Sequence, residues 1–128
     1  MILILGSANS GKRDAAKSLY GVNTFFDCSR ETSESIFDSR AIANYHLLIR
    51  QILEQGGDPV EFTKRLISVN PDAIFIINEI GCGIVPLEKK ERIWREACGK
   101  CTCLIASKST TVVRVVCGIP QAIKGELP

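Results

Sequence analysis

Ile2-Leu3-Ile4-Leu5-Gly6-Ser7-Ala8-Asn9-Ser10-Gly11-Lys12 sets a short apolar run directly against a glycine-bounded loop and a lysine. The aliphatic run is too brief for a helix and shows no polar alternation, which marks a strand buried on both faces. The loop has the spacing glycine, four residues, glycine, lysine, which wraps a phosphate when it lies between a strand and a helix. Ala15, Ala16 and Leu19 then recur at helical spacing, and Gly21 stands where a left-handed C-cap is wanted, so the flanks are the required ones. In such a loop the glycines permit close approach, the amides converge on the anion, the helix N-terminus adds partial positive charge, and Lys12 reaches the terminal phosphates. Gly6, Ser7, Ala8, Asn9, Ser10, Gly11, Lys12 and Arg13 are therefore the candidate binding residues for ATP or GTP.

Downstream, the compact apolar segment Thr24 to Cys28, with the acid Asp27 near its end, reads as a strand, followed by an exposed polar loop from Ser29 to Ser35. From Ser39, the positions Ile42, Tyr45, Ile49, Ile52 and Leu53 describe one helical face that Gly56-Gly57 ends. Asp58-Pro59-Val60-Glu61 opens another helix with an N-cap acid and a proline at its first position, and Pro71 closes it. Ala73-Ile74-Phe75-Ile76-Ile77 is a continuous, β-branched strand that ends at Asn78-Glu79. Beyond Pro86 a long amphipathic helix carries Ile93, Trp94, Ala97, Cys98, Cys101, Leu104 and Ile105 on one stripe, with Glu88 and Arg92, Glu91 and Arg95, and Glu96 and Lys100 spaced four apart. Thr111 to Cys117 is a further strand, leading to Gly118-Ile119-Pro120 and a short tail. Buried strands alternating with helices predict an α/β fold, a P-loop NTPase-like three-layer domain with a largely parallel sheet, spanning residues 1–128 as one unit.

Composition narrows the partners. With 45% hydrophobic and 23% charged residues the chain is an ordinary globular one, and its net charge of +2 comes from interspersed signs. That balance argues against a nucleic-acid or membrane partner, and any anion binding must be local. The opening apolar run is too short for a signal core or a membrane span, so a cytoplasmic protein with reduced thiols is expected of the six cysteines. Cys98 and Cys101 lie on the apolar stripe and read as small buried hydrophobes; a zinc site drawing on Cys98, Cys101, Cys103 and either Cys82 or Cys117 is the weaker alternative. His46, the single histidine, reads as a core or surface residue rather than a catalytic one.

The candidate chemistry lies at strand ends. Asp27 and Glu79 each follow an apolar strand, on the side where open parallel sheets bind ligands. With Lys12 they form the candidate catalytic set, and Asp27 is the candidate ligand for a magnesium ion carried by the nucleotide. Arg13 departs from the loop pattern, which has Ser or Thr there to ligate that magnesium. A guanidinium about 4 Å from a cation is repelled by several kcal/mol at an effective dielectric near 20, so Arg13 must turn away from a cation or contact phosphate itself.

Asn78-Glu79-Ile80-Gly81-Cys82-Gly83-Ile84-Val85-Pro86 resembles the signature of the bifunctional adenosylcobinamide kinase / adenosylcobinamide-phosphate guanylyltransferase family, departing from it conservatively at Ile80. Arg95, the Ala97-Cys98-Gly99 step, Val115-Val116-Cys117-Gly118-Ile119-Pro120 and Asp27-Cys28 are similar to that family in order and spacing, as are the first strand and its loop. The resemblance implies phosphoryl transfer from ATP or GTP to a corrinoid hydroxyl in cobalamin biosynthesis. It places Gly6 to Lys12 at the phosphates, Asp27 near magnesium and Glu79 near the nucleotide or corrinoid, in a homo-oligomer, a trimer in the family. Members are longer, and the segment carrying their guanylylated histidine has no counterpart between the first helix and Asp27; His46 follows Asp27 and does not replace it. A shortened relative that binds nucleotide or corrinoid without catalysis, in a regulatory or scaffold role, is the alternative expectation.

Overall fold

Leu3 and Ile4 are neighbours in β1 (Ile2–Gly6), point to opposite faces of the sheet, and are both completely buried. The computed structural model describes residues 1–80 and 88–128. In it β1 lies mid-sheet, paired in parallel with β4 (Ile74–Asn78) on one side and β5 (Thr111–Val116) on the other. Among the described residues the sheet has six strands in the order β2-β3-β4-β1-β5-β6, with β2 (Phe26–Asp27), β3 (Ala41–Ala43) and β6 (Ile119–Lys124) completing it. The pairing is parallel except between β5 and β6.

Period-two alternation along the central strands divides the core into two layers. Ile4, Ile74, Ile76, Val113 and Val115 meet Ala15 and Ala16 of α1 (Lys12–Tyr20) on one face. Leu3, Phe75, Ile77 and Val112 meet the helices of the other face, α2 (Tyr45–Glu54), α3 (Pro59–Val69) and α4 (Lys89–Lys108). The result is the expected three-layer α/β domain with a mostly parallel sheet. Cys98 and Cys101 are buried in the α4 stripe as its periodicity implies. Both thiols are pushed up in pKa by desolvation, Cys98 to about 12.

Three local expectations are corrected. The helix read from Ser39 begins only at Tyr45, because Ala41 to Ala43 form β3 and Asn44 adopts a left-handed φ of 57° that breaks the chain between them. Ile42 thus faces the core from a strand, where a residue buried on both sides of a sheet mimics one on a helix face. The stretch from Gly118 and the tail expected beyond Pro120 include β6, which is joined to β5 through a two-residue turn in which Cys117 (φ 51°) and Gly118 (φ 77°) are both left-handed, the geometry that suits the right-handed twist of a hairpin. Pro120 is tolerated because β6 lies at the edge of the sheet. The strand read over Thr24 to Cys28 is confined to Phe26–Asp27, and the polar stretch after it runs into a 3-10 turn at Glu34–Asp38.

The start of α3 is set by chemistry visible in the sequence: the Asp58 carboxylate accepts from the amides of Val60 (3.0 Å) and Glu61 (3.3 Å), and Pro59 occupies the first turn. Asp58→Ala is expected to lower unfolding free energy by about 1 kcal/mol in urea denaturation, while Asp58→Asn loses a fraction of that; equal losses would show that the carboxylate charge, not the cap geometry, matters.

Candidate functional site

Because β1 is central, its C-terminal end opens where neighbouring strands carry the chain to opposite sides, and the Gly6–Lys12 loop forms there. Gly6 cannot carry a side chain: a Cβ would collide with Ser10 Oγ and approach the Val115 carbonyl at 2.7 Å. Gly11 has a φ of 96° and serves as the N-cap of α1, and a Cβ there would lie 3.1 Å from Gly118 Cα. The β5–β6 turn thus braces the loop from outside, and the Gly118 amide donates to the Ser10 carbonyl at 2.8 Å. With glycine as the cap, no side-chain cap bond forms at the start of α1 among the described residues, which leaves its first-turn amides as N-terminal donors.

A cleft of about 480 Å³ lies over this loop, lined by Ala8 to Asp14 together with Asn44, Ile76 and Asn78. Lys12 is buried and reaches back across the loop, its Nζ donating to the Ser7 carbonyl at 2.6 Å. Burial pulls the lysine pKa down, and the nearby Glu79 carboxylate opposes that effect. Ser10 Oγ, also buried, has no hydrogen-bond partner among the described residues.

Each predicted acid is held by an arginine. Arg13 Nη2 donates to Asp27 Oδ2 at 2.7 Å, and its guanidinium lies over the Phe25 ring at 5.3 Å. The other Asp27 oxygen accepts from the Ser29 amide (2.9 Å), the Ser29 hydroxyl (2.6 Å) and Asn44 Nδ2 (2.8 Å). Desolvation raises the Asp27 pKa, but the bonds from Ser29, Asn44 and Arg13 outweigh it and leave the carboxyl well below the usual carboxylate range. Glu79 receives Arg114 in bidentate fashion, Nε to Oε1 at 2.7 Å and Nη2 to Oε2 at 3.1 Å, while its amide donates to the Gly6 carbonyl at 2.9 Å. Lys12, Asp27 and Glu79 therefore gather around the loop, as strand-end logic expects. The Gly81 to Pro86 part of the signature, including Cys82, lies outside the described residues.

His46 belongs behind the site. It is buried under the end of β4, and its Nδ1 accepts the Asn78 amide at 3.2 Å, which agrees with the core reading. Asn44 and Arg114 were not among the predicted residues, although each left a trace. Asn44 stands between a strand and a helix where asparagine tolerates a left-handed turn, and Arg114 interrupts an otherwise apolar β5.

A glycine-bounded loop between the central strand and the first helix of a mostly parallel three-layer sheet defines a P-loop-like α/β protein. Residues 35–123, more than half of the chain, match the family model of cobinamide kinase / cobinamide phosphate guanyltransferase, and the chain belongs to that family. A comparison with curated proteins finds no match. Family membership supports a nucleotide triphosphate and cobinamide as substrate classes. Among the described residues no helix is long and apolar enough to cross a membrane.

The buried histidine makes stability depend on pH. Desolvation, reinforced by the charges of Lys12 and Arg50, lowers the His46 pKa from 6.5 to about 4. Between those values the unfolded chain takes up a proton that the folded chain refuses, so stability is full above pH 6.5 and falls as the pH drops towards 4. The loss should reach about 3 kcal/mol in urea unfolding, and His46→Gln should flatten the slope in that window; an unchanged slope in the variant would assign it to other groups.

Proposed function

We propose that this chain binds ATP or GTP by its phosphates in the cleft over Gly6 to Arg13 and transfers the terminal phosphoryl group to a hydroxyl of adenosylcobinamide. The observation that carries the reading is the loop itself: uncapped first-turn amides, a glycine N-cap and the buried Lys12 all border one cleft at the end of the central strand. On nucleotide binding, Lys12 Nζ exchanges the Ser7 carbonyl for a phosphate oxygen. The acceptor oxygen bonds to the terminal phosphorus as the bridging P–O bond breaks, the nucleoside diphosphate departs, and the hydroxyl proton leaves to solvent. Lys12 and the loop amides stabilise the charge that develops on the phosphoryl oxygens. Burial lowers the Lys12 pKa and the Glu79 carboxylate, held by Arg114, opposes that lowering, while Asp27 orients Arg13 towards the cleft. The exposed Val116, Ile119 and Ile123 around β6 give a second copy an apolar edge to cover in the homo-oligomer that the family resemblance implies.

One observation favours a second reading, a nucleotide-binding relative without turnover: Arg13 stands where the loop pattern has a hydroxyl, and it engages Asp27. Calorimetric titration separates both readings from neither. ATP or GTP should bind, and Lys12→Ala should weaken binding by about 10- to 100-fold, the worth of a charge-assisted contact to phosphate. Incubation with nucleotide and adenosylcobinamide should then yield phosphorylated corrinoid and nucleoside diphosphate. Tight binding with no product supports the second reading, and no binding by the unaltered protein would sink both.

A further inference from the structure

A divalent cation does not fit Asp27, the acid expected to ligate magnesium. To coordinate Asp27, magnesium needs a carboxylate lone pair about 2 Å away in a near-octahedral shell. Oδ1 already accepts three donors, from Ser29 twice and from Asn44, and Oδ2 accepts Arg13 at 2.7 Å. Arg30 adds a further guanidinium 4.0 Å from Oδ2. The loop position that supplies a hydroxyl ligand in the usual pattern holds the Arg13 guanidinium itself, so the residue and its acid close on each other in place of a metal. At the other strand end both oxygens of Glu79 accept Arg114. Among the described residues no cluster of three histidines, cysteines or acids stands ready to hold a metal ion.

The charged side chains that line the cleft are Lys12, Arg13 and the exposed Asp14 in the first turn of α1, so two cations face one acid there. Arg13 is half exposed, lines the cleft beside Lys12, and uses Nη2 on Asp27. A guanidinium carries five N–H donors in a planar fork suited to phosphate, so donors are left over after one meets Asp27. Asp27 and the Phe25 ring fix the plane of that fork. We propose that the Arg13–Asp27 pair takes the place of the divalent cation, so that this chain holds nucleotide phosphates with Lys12 and Arg13 and without a required metal. The inference rests on the phosphate-binding reading above.

The test is titration of ATP, GTP and inorganic tripolyphosphate into the full chain in EDTA and again in magnesium. The unaltered protein should bind with dissociation constants that agree within about twofold between the two buffers. Arg13→Thr restores the missing hydroxyl and releases Asp27; it should weaken binding in EDTA by about tenfold and recover at least that factor when magnesium is added. Arg13→Lys keeps a charge and should stay independent of magnesium, and thermal melts of both variants confirm that they fold. Binding by the unaltered protein that tightens tenfold or more with magnesium overturns the inference and leaves the phosphate-binding reading standing, as does an Arg13→Thr variant indistinguishable from its parent in both buffers. Absence of binding by every probe in both buffers overturns the phosphate-binding reading and this inference with it.

Discussion

The burial of β1 on both faces governs the rest of the molecule. A strand packed between β4 and β5, with α1 below and the other helices above, can leave the sheet only through its C-terminal end. Its next residues must turn sharply while still beneath a neighbouring carbonyl, which is why Gly6 has no room for a Cβ against Ser10 and Val115. From there the chain first builds outward to β2 at one edge, returns through β3 and β4, and then crosses to β5 on the far side of β1. The crossing leaves a crevice above the central strand, and Asn44, Asn78 and the loop residues all border it because each ends an element that points there.

The same crowding organises the charges. Four cations, Lys12, Arg13, Arg30 and Arg114, stand with three carboxylates, Asp14, Asp27 and Glu79, around the loop. Burial alone would push Lys12 towards neutrality, and the Glu79 charge counters that. His46, a little deeper, is driven neutral by its surroundings and so adds no charge. The side chains therefore leave the loop with a surplus of one positive charge besides its amide dipoles. An anion arriving there has to displace the neutral Ser7 carbonyl from Lys12, whereas a cation could reach Asp27 or Glu79 only by breaking their charge-assisted bonds to arginine.

Much of this was legible in the residues, and what was not has a physical reason. The strand-loop-helix unit, the left-handed Gly21 cap, the Asp58 cap and the apolar stripe of α4 each rest on local chemistry that the chain repeats in space. β3 was not separable from α2, because three residues buried on both faces carry no alternation and their apolar positions happen to continue the helical spacing. β6 was hidden because its exposed faces and Pro120 give it the composition of a tail; it is a strand through its pairing with β5, a non-local fact. Asp27 and Glu79 could be placed at strand ends from the sequence. Their partners could not, since Arg13 lies fourteen residues from Asp27 and Arg114 thirty-five from Glu79, and the folded sheet alone brings them together.

Two independent lines bear on function, and they fall on different parts of the chain. The family match covers residues 35–123, and so includes Asn44, Asn78, Glu79 and Arg114. The loop from Gly6 to Arg13 and the acid Asp27 precede that span, so the role proposed for them rests on geometry: the glycine cap, the buried lysine and the cleft over the loop. The two parts are not free to vary separately. The Glu79 amide bonds the Gly6 carbonyl and the Gly118 amide the Ser10 carbonyl, so residues inside the matched span hold the loop at two points, and Asn44 bonds Asp27, the partner of Arg13. A loop braced in this way from the residue after β4 and from the β5–β6 turn is a built feature of the fold, and its unusual arginine has to be understood as part of that construction.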